Sequence, residues 1–195
     1  MKEWTNKLET FRNRSNNSGE ITYNNKFIKP QAIAAAVSEE LEDNAIISID
    51  SGTSTFWAAR HINVRNGMKF SVSGTLASMA CGLPYAIAAQ MIYPERQCVA
   101  FVGDGGFMML MAEFATAVQY NLPIKVIILK NNTLGMIRWE QMGYLGNPEY
   151  GVEFTPIDLA GFAKNCGGNG YTIKKSEDIQ PVMKMAMHKD TEKNQ

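Results

Sequence analysis

The sequence predicts an α/β fold, a doubly wound and mostly parallel sheet flanked by helices, on three observations. Apolar runs rich in Val, Ile and Phe alternate along the 195 residues with stretches whose apolar positions repeat at helical spacing. One run, Phe101-Val102, passes into Gly103-Asp104-Gly105-Gly106, and another, Ile127-Ile128-Leu129, passes into Lys130-Asn131-Asn132. The separation of Asp104 and Asn131, 131 − 104 = 27 residues, is what a strand end, a helix and a return strand require. That unit is β-α-β, and right-handed crossover makes its strands parallel.

The elements follow in order. Met1 to Phe27 is polar and carries Asn16-Asn17-Ser18-Gly19, the composition of a linker from an upstream domain that this chain lacks. Residues 28–190 form the domain and 191–195 a tail. Pro30 suits a helix start, and Ile33, Ala36, Val37 and Leu41 repeat at helical spacing before a strand from Ala45 to Ile49. A helix from about Thr55 to His61, a strand Lys69 to Val72 and a small-residue helix Leu83 to Ile92 come next. Met109, Ala112, Glu113, Thr116, Ala117 and Tyr120 place a helix over Met108 to Tyr120, and Leu122-Pro123 stops it. After the second strand, Leu134 to Met142 reads as a short helix and Tyr144 to Thr155, with Gly146, Pro148 and Gly151, as a loop able to gate substrate. Pro156 to Asn165 reads as a helix, Tyr171 to Lys174 as a strand, and Ser176 to Met187 as a helix interrupted by Pro181.

Neighbouring parallel strands end about 5 Å apart on one sheet edge, so Asp104 and Asn131 are placed to share one ion. A carboxylate and an amide oxygen are hard ligands suited to Mg²⁺ or Ca²⁺, and Mg²⁺ completes its octahedron with water and phosphate oxygens. Gly103, Gly105 and Gly106 let backbone N–H groups approach an anion at a helix start. The predicted ligand is a diphosphate carried on a divalent metal.

Gly103-Asp104-Gly105 followed by the Asn131-Asn132 pair resembles the diphosphate-binding signature of thiamine diphosphate enzymes. The segment from Ser73-Gly74-Thr75-Leu76-Ala77-Ser78-Met79 to Gly82-Leu83-Pro84 resembles a second stretch, found in pyruvate oxidases and acetolactate synthases. The likeness runs from about Lys29 to Lys184, and it implies the thiamine diphosphate-binding fold, here without its last strand. It also implies the roles. Asp104, the Asn131 side chain and the Thr133 carbonyl would hold Mg²⁺, while Gly103, Gly105 and Gly106 would meet the phosphates. Ser51, Gly52, Thr53 and Ser54 would reach the diphosphate from the other side. Met79 would prop thiamine in its bent shape, Ala77 would offer its carbonyl to the 4′-amino group, and Gly135 and Met136 would complete the cofactor pocket.

Some positions leave two readings open. Glu140 stands where pyruvate oxidases carry a glutamate near substrate, yet Arg138-Trp139-Glu140-Gln141 reads equally as a solvated helix face with Trp139 docked inward. Met136 matches acetolactate synthases, so the two specificity cues disagree. The family's activating glutamate belongs to a pyrimidine-binding domain on a neighbouring subunit, so this chain alone is expected to bind weakly and not turn over. The resemblance implies a 2-oxo acid such as pyruvate as substrate, decarboxylation as the shared step, a homo-oligomer, and FAD through a domain this chain lacks if the oxidase likeness holds. Alternatives are an acetolactate synthase-like carboligase, a subunit of a two-chain 2-oxo acid decarboxylase and a binding module without catalysis.

Composition bounds the rest. At 45% hydrophobic and 19% charged residues, with 19 basic and 19 acidic side chains, the chain reads as one globular domain with no basic patch for nucleic acid. Cys81, Cys98 and Cys166 lack metal spacing and read as thiols in a reducing cytoplasm, and His61 and His188 have no neighbouring ligands. No stretch is long and apolar enough to span a bilayer.

Overall fold

The computed structural model describes residues 27–188 apart from 66 and 147. The linker expected over Met1–Phe27, except Phe27 itself, and the tail 191–195 lie outside the described residues. Four strands, β1 (Ile46–Ile49), β2 (Lys69–Val72), β3 (Cys98–Gly103) and β4 (Lys125–Leu129), form one sheet in the spatial order β2-β1-β3-β4. All three pairings are parallel, with Ile49 opposite Phe101 and Gly103 opposite Leu129.

β3 reads as an unbroken apolar run because both its faces are covered. Val99 and Phe101 join Ile47 and Ile49 in one cluster with α1 (Pro30–Glu40), α2 (Thr53–His61) and the last helix, α8 (Ile179–His188). Ala100 and Val102 turn the other way, toward α3 (Gly82–Ile92), α4 (Asp104–Met109), α5 (Glu113–Gln119) and α7 (Leu159–Asn165). The period of two along the strand thus divides its side chains between two helical layers. Fully buried Phe101 contributes about 2–3 kcal/mol relative to leaving it exposed.

From β1 the chain moves outward to β2, then returns to the opposite side of β1 for β3 and β4. The order therefore reverses between β1 and β3, and their C-terminal ends open the crevice where such sheets bind ligands. The doubly wound parallel sheet expected from the sequence is the fold observed.

Several elements differ from expectation. The helix expected over Met108–Tyr120 starts earlier, at Asp104, and is two helices, because Leu110 (φ −132°, ψ 30°) leaves the helical region. The break lets α4 bury Phe107 and α5 bury Ala117 in the same cluster. α7 starts at Leu159 rather than Pro156, since Asp158 accepts the Gly161 N–H (2.9 Å) as its cap. Tyr171–Lys174 is not a strand. Gly170 is pressed against the backbone of Ala160, where an added Cβ would come within 2.1 Å of the carbonyl oxygen, and Ile173 packs into the first cluster. Pro181 does not interrupt α8. It is the third residue of that helix, where its missing N–H has no intrahelical partner to lose. A single 3₁₀ turn, Ser176–Asp178, precedes it. The helix expected over Leu134–Met142 is α6 (Gly135–Glu140), continued by a π-helical turn Gln141–Leu145 that ends at left-handed Gly146 (φ 63°).

Candidate cofactor site

The ends of β1, β3 and β4 deliver the predicted residues to one cleft. It is lined by Ser51, Gly52, Thr53 and Ser54 from the β1–α2 turn and by Gly103, Asp104, Gly105 and Gly106 after β3. Asn131, Thr133, Gly135 and Met136 come from the segment after β4, and Met79 closes the remaining side. These side chains meet because parallel neighbours in register stop at one edge: Gly103 lies opposite Leu129, two residues before Asn131.

Asp104 holds the turn together. It is 3% exposed. Its Oδ1 accepts the Gly105 N–H (3.0 Å), and its Oδ2 accepts those of Asn131 (3.1 Å) and Asn132 (2.6 Å). An ionised carboxylate offers about four acceptor positions, so one remains. The Asn131 side-chain oxygen accepts the Thr133 N–H (3.1 Å) and likewise keeps one lone pair. The Asn132 side chain is instead held by Lys130 Nζ at 2.6 Å. Buried Thr133 Oγ1 has no hydrogen-bond partner. One carboxylate and one amide oxygen, each with a spare acceptor position beside an orphaned hydroxyl, suit a hard divalent cation that brings its own oxygen ligands. No group of three His, Cys, Asp or Glu side chains able to hold a metal occurs among the described residues.

The glycines set the shape. A Cβ at Gly103 or Gly52 would meet nothing within 4 Å, so both face open space. At Gly105 it would come within 2.9 Å of Leu134 and 3.1 Å of the Phe154 ring, and at Gly106 within 1.6 Å of Asp50 Oδ2. The backbone approaches its neighbours there as only glycine allows.

Two predicted residues stand apart. Ala77 lies on the exposed stretch 74–78 with φ 49°, outside the cleft lining. Glu140 is exposed at the end of α6 and is also outside the lining. Trp139 beside it is 48% exposed rather than docked inward, its ring centroid 6.2 Å from that of Phe56 in an edge-on arrangement.

The loop expected to gate substrate folds back over the site. Leu134 N–H donates to the Val152 carbonyl and Phe154 N–H to that of Asn132, both at 2.8 Å. Gln141 exchanges two 3.0 Å hydrogen bonds with the Tyr150 backbone, and Arg138 pairs with Glu149 at 2.5 Å. The Glu149 carboxyl is held below its ordinary range by a backbone hydrogen bond and by the Arg138 charge.

Sequence reasoning missed Leu129, Leu134 and Ile137 in the lining, Phe154 against Gly105, and the burial of Asp50 beneath Gly106. Leu134 and Ile137 had a signal, since they flank Gly135 and Met136. Phe154 had none, because its place depends on the loop's return. Burial pushes the Cys81 thiol beside Asp50 above its ordinary range, and the Asp50 charge adds to the rise.

Residues 50–193 match the family described as thiamine pyrophosphate enzyme, C-terminal TPP binding domain. YdaP of Bacillus subtilis, named provisionally as a thiamine pyrophosphate-containing protein, is 46% identical over 163 residues, 84% of this chain and 28% of YdaP. Pyruvate oxidase of Lactiplantibacillus plantarum is 36% identical, over 79% of this chain and 26% of the oxidase. The acetolactate synthase large subunit of Buchnera aphidicola is 27% identical, over 97% and 33%. This chain thus spans about a third or less of the length of these relatives. A thiamine diphosphate-dependent 4-hydroxybenzoylformate decarboxylase of Rhodococcus jostii shares the fold, with TM-score 0.77 and 24% identity over 85% of this chain and 31% of its own.

Proposed function

The chain belongs to the thiamine pyrophosphate enzymes, as their C-terminal TPP-binding domain, and on that premise we propose that it holds the diphosphate of thiamine diphosphate on Mg²⁺. We further propose that the protein it serves decarboxylates pyruvate or a similar 2-oxo acid, as a pyruvate oxidase does. Bound here, the cofactor supplies the electron sink that such a decarboxylation needs. One observation carries the reading: Asp104 and Asn131 meet in one cleft, and each keeps a free acceptor position there.

The chain's own residues bind and orient. Asp104 and Asn131, with the Thr133 carbonyl, hold the cation, and the glycine turn 103–106 presents its amides to the phosphates. Ser51 to Ser54 close the diphosphate from the β1 side. Met79 and Met136 support the rings from the cleft wall. Glu140, exposed beyond the cleft, has no part in holding the cofactor, and its role toward substrate is tested by Glu140→Gln in the whole protein. A pyrimidine-binding domain of a neighbouring subunit supplies the activating glutamate, which makes the working form a homo-oligomer in the cytoplasm. FAD, in the oxidase reading, occupies a domain outside this chain.

Acetolactate synthase is the second reading, favoured by Met136 and by a synthase relative that covers 97% of the chain. Calorimetry with thiamine diphosphate, in Mg²⁺ and in chelator, tests the site. Binding that needs the metal and is lost in Asp104→Asn and Asn131→Ala is expected. Metal-independent binding, or binding unchanged in both variants, overturns it. The whole protein, assayed on pyruvate with and without flavin, then separates oxidation from carboligation.

A further inference from the structure

Asp50, at the end of β1, is 1% exposed and lies beneath the cleft rather than among its lining residues. Its main chain is fully engaged. The N–H donates to the Phe101 carbonyl (3.1 Å), and its carbonyl accepts the hydroxyls of Ser54 (2.9 Å) and Thr55 (2.6 Å). Carboxylate Oδ1 accepts the Cys81 N–H at 3.1 Å, with the Cys81 thiol at 3.6 Å. Oδ2 is buried with no partner.

Two glycines make the space it occupies. A Cβ at Gly106 would lie 1.6 Å from Oδ2, and one at Gly82 would lie 3.2 Å from the Asp50 amide nitrogen and 3.4 Å from its Cβ. These glycines belong to the first turns of α4 and α3. For packing alone a carboxylate is a poor choice here, because a buried acceptor without a partner is unfavourable and an apolar side chain of similar size would avoid that cost. What the carboxylate does is touch both sides. Oδ1 grips the backbone where the segment 73–81 enters α3, and Oδ2 abuts the glycine turn after β3.

We infer that Asp50 is a positioning residue of this site: its carboxylate, wedged between Gly106 and Cys81, fixes the separation between the phosphate-binding turn and the segment 73–80 that brings Met79 to the cleft. The inference rests on the cofactor reading above. The glycine turn, Asp104 and Asn131 lie on the β3 side of the wedge, and the Ser51–Ser54 turn is anchored through the Asp50 main-chain carbonyl rather than its carboxylate, whereas the ring contacts need both sides of the wedge in register. Removing the carboxylate therefore spares affinity for inorganic diphosphate and erases the added affinity conferred by thiamine.

The test is an amide-resolved NMR titration of the whole chain in Mg²⁺, suited to weak binding, with thiamine diphosphate and with inorganic diphosphate. The unsubstituted chain is expected to prefer thiamine diphosphate by about tenfold, the contribution of about 1.4 kcal/mol from the ring contacts. In Asp50→Ala that preference falls to near one while diphosphate affinity changes by less than about twofold, and Asp50→Asn, which keeps an acceptor for the Cys81 amide and fills the space, restores it. Equal loss of both affinities in Asp50→Ala, or an unchanged preference, overturns the positioning role. If the unsubstituted chain binds neither ligand, the cofactor reading itself has failed.

A second measurement needs no ligand. Gly106→Ala melts below the unsubstituted chain because its Cβ meets Oδ2, and adding Asp50→Ala raises the melting temperature above that of Gly106→Ala alone. A double variant that melts lower than either single variant overturns the wedge.

Discussion

Asp104 has a structural load that is separate from any metal, and its size follows from three hydrogen bonds. The buried carboxylate accepts N–H groups from Gly105, Asn131 and Asn132 at 3.0, 3.1 and 2.6 Å. Hydrogen bonds to a charged acceptor contribute about 1.5–3 kcal/mol each, a ceiling of roughly 4.5–9 kcal/mol for three. The Asn131 end of the turn is exposed, so water replaces part of what is lost, and we expect Asp104→Ala to destabilise the metal-free chain by about 3–4 kcal/mol. Asp104→Asn keeps one acceptor oxygen but turns an NH₂ toward a backbone donor, costing about 1–2 kcal/mol. In urea denaturation, with a slope near 2 kcal/mol/M, the midpoints should fall by about 1.5–2 M for Ala and about 0.5–1 M for Asn. A loss below about 1 kcal/mol for Ala, or an Asn variant no more stable than Ala, would refute the claim that this carboxylate ties the β3 turn to the end of β4. The same arithmetic makes Asp104→Asn the cleaner probe of metal binding.

Ala77 sits at φ 49° on an exposed turn, so Ala77→Gly should raise stability by about 0.5–1 kcal/mol, seen as a higher melting temperature. Burial pushes the Cys98 thiol up to about 11, leaving about one molecule in a thousand as thiolate at pH 8. Cys81 is also raised, so native alkylation followed by mass spectrometry should modify partly exposed Cys166 first, and Cys98 labelling at the Cys166 rate would contradict this. Because a backbone hydrogen bond and the Arg138 charge hold the folded-state Glu149 carboxyl below its ordinary range, these contacts stabilise the folded loop at neutral pH. That stabilisation is lost as pH falls through the depressed value. The Tyr150 amide resonance should follow this titration below the ordinary glutamate range, and Glu149→Gln should remove the pH dependence.

Much of the site was legible because local pattern and one chirality rule suffice for it. A β-α-β unit whose strands end in Gly-Asp-Gly and Asn-Asn puts Asp104 and Asn131 at one sheet edge whatever the rest of the chain does. Asp158 illustrates the limit of local rules, since a capping carboxylate outweighed Pro156 as the start of α7. The break at Leu110 was not legible, because periodicity through Met108–Tyr120 is compatible with one helix and only the demand that Phe107 and Ala117 reach the same cluster divides it. Pro181 misled because its effect depends on its distance from the helix start, which the 3₁₀ turn at Ser176–Asp178 sets.

The sequence by itself determined the parallel α/β class, the pairing of β3 with β4 and the meeting of Asp104 with Asn131 at one sheet edge, while the family was marked by the likeness of two motifs. The first three depend on periodicity, glycine placement and spacing along the chain, all of them local quantities. Tertiary structure alone decided that Phe154 closes on Gly105, that Ala77 and Glu140 stand outside the cleft, and that Asp50 is wedged beneath Gly106. Those facts belong to contacts between segments separated by tens of residues, whose distances are set by how two helical layers pack on one sheet and not by any pattern within a segment.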